Sequence, residues 1–156
     1  MWMTVRLAGE QDVPGFLSLA AQVEHWFGPM VEDAGFHAAL ADHLRRSQAL
    51  VAAAAGGGLA GGLLFGTGTR THHVHWLVVG EQSRGTGVGR ALMDDAIRRW
   101  VRGPAAVEVV TFGADHPGAS ASGARAFYER LGFVAGEAAA PGPEGGSRQV
   151  FRRTIG

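Results

Sequence analysis

A glycine-rich segment with an arginine at each end stands between an apolar, strand-like run and the start of a helical pattern. Residues 76–79 (WLVV) are apolar and partly β-branched, as in a strand, and the apolar residues that follow recur at helical spacing. A helix that starts at a glycine loop exposes free backbone N–H groups, and glycine lets a phosphate approach them. The segment therefore predicts a pyrophosphate-binding site formed by Arg84, Gly85, Thr86, Gly87, Val88, Gly89 and Arg90.

The spacing of this segment argues against two nucleotide-binding motifs. A P-loop requires Lys-Ser or Lys-Thr after its last glycine, whereas Arg90 and Ala91 follow Gly89. A dinucleotide fingerprint requires a further glycine three residues after Gly87, and Arg90 occupies that position. A glycine-rich turn that binds no ligand is the alternative to a pyrophosphate site.

Two histidines in the preceding strand could act as bases. His73 and His75 are two residues apart, and alternate residues of a strand share a face, so Val74 and Trp76 are expected on the other face. Histidine titrates close to neutral pH, which suits a general base that acts directly or through water. Two other interpretations stay open: ordinary polar positions of a half-exposed strand, or a His-x-His metal site. No third metal ligand is evident, and no metal is predicted.

The composition limits the class of protein. The 156 residues are 46% hydrophobic, which suits a single domain over residues 1–156. Lys plus Arg and Asp plus Glu each number 14, and this zero net charge gives no general attraction to nucleic acid or to an anionic membrane. Cysteine is absent, which excludes disulfides and thiol nucleophiles. The sequence shows no signal peptide and no membrane-spanning run, so a cytoplasmic protein is expected.

The hydrophobic pattern predicts strands and helices in mixed order. Strands are predicted at residues 4–8, 49–55, 59–65, 72–79, 106–112, 133–136 and 147–154, the last one partly at a sheet edge. Helices are predicted from Asp12, as N-cap, to about His25, and at residues 31–46, 88–102 and 122–131. The class is therefore α/β or α+β, with a mixed sheet of about six or seven strands and about four flanking helices.

A second motif points to a family. Residues 127–133 read FYERLGF, which resembles the FYxxLGF signature of the GNAT superfamily, the acyl-CoA-dependent N-acetyltransferases. Residues 84–89, RGTGVG, are similar to the Arg/Gln-x-x-Gly-x-Gly/Ala pattern of the same superfamily. Two motifs in this order are far more specific than either alone, and the resemblance covers the whole chain. It implies the GNAT fold, in which two strands of the central sheet splay apart around the pantetheine arm of the cofactor acetyl-CoA.

The resemblance also implies roles for particular residues. The backbone around Leu77, Val78 and Val79 would bind the pantetheine and the acetyl oxygen, and the amides of residues 84–90 would hold the pyrophosphate. Tyr128, the one tyrosine of the chain, would approach the cofactor sulfur and give a proton to the departing thiolate; a core aromatic with a solvated hydroxyl is the alternative. The His-x-His pair before Leu77 resembles the arylalkylamine N-acetyltransferase branch, in which such a pair relays a proton.

The acceptor side is expected between the first two long helices. A carboxylate and aromatic rings suit a cationic, partly apolar amine, and this segment contains Glu24, His25, Trp26 and Phe27. A packed corner between helices is the alternative. The leading hypothesis is an N-acetyltransferase that moves an acetyl group from acetyl-CoA to a primary amine of a small molecule or peptide. Its rivals are an enzyme for another acyl-CoA or acceptor, and a non-catalytic module that senses acyl-CoA or contacts proteins.

Two positions depart from the family pattern. Ala121 stands where the family often has a cofactor-binding Asn, a role open to Asp115, Ser120 or Ser122. Gly80-Glu81 replaces a common Asp-Pro. Elsewhere, solvated positions are expected for Asp94, Asp95, Arg125 and Arg130. A homodimer is common for this fold, although no residue demonstrates one.

Overall fold

A seven-stranded mixed sheet runs through the computed structural model, which describes residues 4–156. The strands are β1 (Val5–Leu7), β2 (Ala49–Ala53), β3 (Leu59–Gly66), β4 (Thr71–Val79), β5 (Ala105–Phe112), β6 (Val134–Ala139) and β7 (Arg148–Ile155). Their order across the sheet is β1-β2-β3-β4-β5-β7-β6. The predicted class and strand number are confirmed. The edge position predicted for β7 is wrong, because β7 pairs with β5 on one side and β6 on the other.

The helices of the described chain are α1 (Val13–Ala21), α2 (Glu24–Phe27), α3 (Ala34–Arg45), α4 (Val88–Trp100), α5 (Pro117–Ser122) and α6 (Ala124–Arg130). The first predicted helix is divided in two, since it stops at Ala21 and a short helix follows from Glu24. The helix predicted at residues 122–131 corresponds to α6, and α5 before it was not predicted. Gly123, with φ of +69°, separates α5 from α6, because a left-handed glycine ends a helical turn. Within residues 4–156, no helix is long and apolar enough to cross a membrane.

Strands β4 and β5 are paired over only part of their length. They are the one parallel pair in the described sheet, and their register runs from Thr71 opposite Ala106 to Val74 opposite Val109. Strand β4 continues to Val79 without pairing to β5. A gap therefore opens between the carboxyl ends of the two strands, as the family resemblance implies.

A β-bulge interrupts the pairing of β3 with β4. Phe65 lies opposite Val74 and Leu64 lies opposite Trp76, so His75 is an extra residue on β4. The predicted orientation of Trp76 is wrong for this reason: its ring lies 5.8 Å from that of Phe16 in α1, on the face that also carries His75. The rings of His73 and His75 stack at 6.1 Å and do share a face, as expected.

The two faces of the sheet are covered differently. On one face, α4 and α6 bury a core that includes Leu92, Val107 and Phe151. On the other face, α1 and α3 cover β2, β3 and part of β4. The same face of β5 and β6 is open, since Val110 is 45% exposed and Val134 is 70% exposed. This open face accounts for the alternating pattern of β7 that resembled an edge strand.

Asp12 does not cap α1 through its side chain. Its carboxylate instead accepts two hydrogen bonds from the Arg6 guanidinium, at 2.8 and 2.9 Å, and one from the Gly9 N–H at 2.8 Å. These contacts hold the pKa of Asp12 below its usual value, with the Arg6 hydrogen bond as the largest cause. A short 3₁₀ turn, Glu10–Asp12, places the carboxylate under β1 rather than over the helix start.

Two residues expected to be solvated have structural partners. Asp95 is buried and forms ion pairs with Arg98 and Arg99 one turn along α4, the former at 3.2 Å. Arg125 donates to the Phe112 carbonyl at 2.9 Å and lies over the Phe151 ring. Arg125 reaches β5 and β7 from a helix position that looks exposed in the sequence. The partners of Asp95, in contrast, lie three and four residues along its own helix, a spacing that the sequence does contain.

Candidate functional site

A cavity of about 380 Å³ opens where β4 and β5 splay apart. Its volume is within the range of small-molecule binding pockets, roughly 300–1,000 Å³. Four elements line it: the end of β4, the glycine loop, the corner between α5 and α6, and α2. The fold thus brings together the predicted anion loop, Tyr128 and the aromatic pair Trp26 and Phe27. Five predicted site residues do not line the cavity: Thr86, His73, His75, Glu24 and His25.

The glycine loop has the geometry of an anion site. Gly85 and Gly87 have φ of +77° and +91°, and a Cβ added at either would meet nothing within 4 Å. Glycine is needed there because an L side chain is strained at such angles. The backbone N–H groups from Gly85 to Arg90 donate to no acceptor elsewhere in residues 4–156. They stand at the start of α4, whose 13 residues add the positive end of the helix dipole.

Glycine is needed at position 89 for a different reason, the close packing of two helices. A Cβ at Gly89 would lie 2.7 Å from the Phe127 ring, so glycine at this position lets α4 approach α6. Phe127 belongs to the FYERLGF motif. The two sequence motifs are therefore in direct contact.

The two arginines of the loop have different neighbours. The Arg84 guanidinium lies 5.2 Å from the centroid of the Trp26 ring, a cation–π arrangement that connects the loop to α2. Arg90 donates to the Arg130 carbonyl at a long 3.3 Å. Both arginines line the cavity, and their positive charge lies beside the free N–H groups.

The end of β4 directs peptide groups into the gap. Gly80 donates its N–H to the Ala60 carbonyl of β3 at 2.8 Å. Because backbone groups alternate along a strand, those of Leu77 and Val79 point the other way, toward the unpaired side. Val78 is turned toward β3, and its buried side chain packs beneath α1. Of the three strand residues predicted to bind cofactor, Leu77 and Val79 thus have backbone groups available to a ligand.

Tyr128 lies in an aromatic setting on the cavity wall. It is 6% exposed, and its ring packs edge-on against Phe127 and Phe133 at 5.0 and 5.6 Å. Burial raises the pKa of Tyr128 above its usual value. The hydroxyl hydrogen-bonds to no group in the part of the chain that the structure describes. It therefore stays protonated and is available as a donor to a ligand.

Helix α2 contributes aromatic rings rather than a free carboxylate. The Glu24 carboxylate accepts hydrogen bonds from the N–H groups of Met30 and Val31, at 2.7 and 2.8 Å, which lower its pKa. Both bonds are to Oε2, and Glu24 does not line the cavity, so the binding of an amine by Glu24 stays a prediction. Trp26 and Phe27 line the cavity, and Phe27 stacks on Phe112 at the end of β5, at 4.8 Å. The side chain of His25 is exposed beside Trp26.

His75 belongs to a hydrogen-bonded pair that the sequence did not reveal. Its Nδ1 lies 2.8 Å from Nε2 of His43, and Nδ1 of His43 lies 2.6 Å from the Ala39 carbonyl oxygen. Partial burial, followed by the neighbouring His43 and His73, lowers the pKa of His75. No group of three potential metal ligands occurs within residues 4–156. A signal for His43 was present: it falls three residues after Leu40, on the inward face of α3.

Beside Ala121, which stands where the family often has an Asn, one polar residue lines the cavity. Ala121 is exposed, and among its three suggested replacements Ser122 lines the cavity. The Ser122 hydroxyl donates to the Gly118 carbonyl at 2.5 Å and accepts from the Ala124 N–H at 3.2 Å. Asp115 accepts from Ser147 at the other end of the α5 loop.

Comparison with protein-family models matches residues 45–135 to an acetyltransferase (GNAT) domain. Comparison with curated proteins gives no significant match. Three solved structures illustrate the shared fold. The PaiA N-acetyltransferase from Thermoplasma acidophilum, in complex with coenzyme A, has a TM-score of 0.74 at 14% identity, covering 99% of this chain and 100% of that chain. Ard1 from Thermoplasma volcanium has a TM-score of 0.75 at 19% identity, with 99% of each chain covered. A chain of the NatC complex bound to Gag peptide and CoA has a TM-score of 0.74 at 15% identity, with 100% of each chain covered.

Proposed function

Because the chain belongs to the GNAT acetyltransferase family, we propose that it is an N-acetyltransferase that moves an acetyl group from acetyl-CoA to a primary amine of a small molecule or peptide. The observation that carries the proposal is one cavity that connects a loop of free backbone N–H groups to a buried, protonated phenol and an aromatic acceptor side. Residues 1–156 are proposed to form one such domain.

The residues present fit coenzyme A. The N–H groups of the loop and Arg84 and Arg90 would hold its pyrophosphate, and the open space above Gly85 and Gly87 leaves room for it. The peptide groups of Leu77 and Val79 would bind the pantetheine in the gap, where no neighbouring strand competes for them. The N–H of Val79 would stabilise negative charge on the acetyl oxygen. Bound acetyl-CoA supplies the activated thioester.

The amine must lose a proton before it attacks. An alkyl-ammonium titrates near about 10.4, so a base is needed at neutral pH. We propose that His75 accepts this proton, through water because it lies outside the cavity lining, with His73 stacked beside it. The lowered pKa of His75 keeps its ring neutral and able to accept a proton at neutral pH. This assignment extends the likeness of the His-x-His pair to the arylalkylamine branch.

Tyr128 is proposed to stabilise the departing sulfur. A thiolate titrates near about 8.5 and a phenol near about 10, so a phenol whose pKa is raised by burial donates a hydrogen bond more readily than it gives up its proton. Its role is therefore that of a fixed donor to the developing charge. The second proton of the nitrogen, lost as the amide forms, passes through solvent to the released thiolate.

The acceptor is proposed to enter the cavity beside α2. Trp26 and Phe27 offer aromatic faces to an amine with an apolar body. The likeness to a chain in a complex bound to a peptide supports a peptide-like acceptor, and the aromatic lining supports a small arylalkylamine-like one. A cytoplasmic location, a homodimer and the absence of nucleic-acid or membrane binding stay predictions.

The proposal is tested by measuring thiol release from acetyl-CoA with a panel of primary amines. The panel contains arylalkylamines, alkylamines, diamines and short peptides with a free N-terminus. Release that depends on one class of amine, together with an acetylated product in mass spectra, is the expected result. Binding of acetyl-CoA with no turnover on any amine would instead favour an acyl-CoA sensor.

A prediction for the base concerns the pH profile. His75→Ala should lower kcat/KM at pH 8 by about tenfold, less than the loss of a direct base, because water can carry the proton. The wild type should lose activity as the pH falls through the pKa of His75, which lies below its usual value of about 6.5. The variant should lack this acidic limb. An unchanged profile in His75→Ala would move the base to another group.

A further inference from the structure

His43 of α3 is buried at 9% exposure, and its two ring nitrogens make two different hydrogen bonds. The Ala39 carbonyl can only accept, so Nδ1 of His43 must carry a hydrogen. In the neutral ring, Nε2 of His43 is then an acceptor. His75, whose Nδ1 lies 2.8 Å from that atom, must therefore place its own hydrogen on Nδ1.

This order of donors leaves one basic atom in the pair. With hydrogen on Nδ1 of His75, the lone pair of the ring is on Nε2, and an added proton goes there without breaking either hydrogen bond. His43 cannot share the added proton, because two N–H groups would then face each other across 2.8 Å. The pair thus takes up one proton, and it does so at a known nitrogen.

The surroundings of His75 hold its ring in this arrangement. A Cβ at Gly66 of β3 would lie 2.4 Å from Cε1 of His75, so glycine there makes room for the ring. The β-bulge turns this residue toward α3. On the open side, His73 stacks at 6.1 Å, and its Nε2 lies 3.5 Å from Glu108 Oε1. The other charged neighbours are held in ion pairs, Glu108 with Arg152 and Asp42 of α3 with Arg46.

We propose that His43 is a positioning residue for the acetyl transfer: it fixes the tautomer and the ring orientation of His75, so that Nε2 of His75 accepts the proton released by the acceptor amine. This inference rests on the proposed function. It adds a second histidine from a separate helix, one that never touches cofactor or acceptor, to the proton path. The proton passes from the ammonium to Nε2 of His75 through water, and from there to solvent across the open sheet face.

Two substitutions separate positioning from packing. His43→Leu keeps most of the side-chain volume and removes the acceptor, whereas His43→Gln keeps an acceptor oxygen near the position of Nε2. We expect kcat to fall about tenfold in His43→Leu and less than threefold in His43→Gln, since groups that orient a functional histidine contribute about 10- to 100-fold where measured at metal sites. KM for acetyl-CoA should stay within twofold in both. His37→Leu is the matched control, because His37 lies on the same helix and bonds to the Val31 carbonyl, away from His75.

A spectroscopic readout tests the contact apart from activity. Imidazole ¹⁵N–¹H correlation spectra at pH 8 should show His75 of the wild type and of His43→Gln protonated at Nδ1, and His43→Leu with a mixture of tautomers. The acidic limb of the pH profile should also move in His43→Leu. Two results would overturn the role of His43 and leave the proposed function standing. One is hydrogen on Nε2 of His75 in the wild type, and the other is wild-type turnover in His43→Leu. If the wild type acetylates no amine, the proposed function fails, and the catalytic role of His43 fails with it.

Discussion

Tyr128→Phe should lower turnover about 100-fold while the dissociation constant of acetyl-CoA changes less than threefold. The substitution removes the buried hydroxyl that we propose as a donor to the departing sulfur, and the loss of such a donor costs about 10²–10³ in kcat. The low end applies because the raised pKa of Tyr128 makes proton transfer to sulfur incomplete. Ground-state binding is spared, since the pyrophosphate loop and the peptide groups of β4 are unchanged.

The same substitution carries its own structural control. Phenylalanine keeps the ring contacts with Phe127, Phe133 and Phe151, so the melting temperature should stay close to that of the wild type. Because the phenol stays protonated to above about pH 10, the ratio of wild-type to variant rates should be constant from pH 6 to 9. Steady-state kinetics over that range measure both quantities. Turnover equal to that of the wild type would remove Tyr128 from the mechanism and leave it as a core aromatic.

Gly87→Val should weaken coenzyme A binding by about 100-fold or more. Gly87 is the N-cap of α4 with φ of +91°, and a side chain there would project into the open space in front of the free N–H groups. Losing two charge-assisted hydrogen bonds to a phosphate, at about 1.5 kcal/mol each, corresponds to about 3 kcal/mol or 10²-fold in affinity. Isothermal titration calorimetry with coenzyme A measures the change directly.

The control for this experiment must reproduce backbone strain without touching the cavity. Gly57 in the β2–β3 turn has φ of +95°, and a Cβ there also meets nothing within 4 Å. Gly57→Val should therefore lose a similar stability, about 1–3 kcal/mol, and bind coenzyme A as the wild type does. Equal affinity in Gly87→Val and Gly57→Val would show that the loop does not contact the pyrophosphate.

The sequence predicted the anion loop and the aromatic motif because both depend on local chemistry. Glycine at positive φ and a helix start with free N–H groups are properties of residues 84–90 alone. Tyr128 was singled out by the resemblance of its motif to the family signature, and it lines the same cavity as the loop. The contact between the two motifs, through Gly89 and Phe127, lies beyond local pattern but agrees with it.

The acceptor side was harder to predict because its residues depend on distant partners. Oε2 of Glu24 accepts from the N–H groups of Met30 and Val31, beyond a reversal of the chain, and no local pattern predicts these bonds. His43 was not singled out in the sequence, because its partner His75 lies 32 positions along the chain. The orientation of Trp26 relative to Arg84 likewise depends on how α2 packs over the loop. Side-chain partners of this kind follow from the tertiary fold rather than from periodicity.

The bulge formed by the extra residue at position 75 decides which way the backbone groups of the rest of β4 point. Just before β4, the carbonyl of Arg70 accepts from the N–H of Ala106 in β5. If the alternation were regular, the backbone groups of all even-numbered residues of β4 would face β5. The bulge adds one residue and so shifts this alternation by one, and the backbone groups of odd-numbered Leu77 and Val79 face the gap. In a regular strand of the same sequence, without the bulge, the peptide groups of Leu77 and Val79 would face β3 and could not take the role that we propose for them. The extra residue, His75, therefore has two effects. Its own ring contacts His43, and the bulge that it forms turns the peptide groups of Leu77 and Val79 toward the gap.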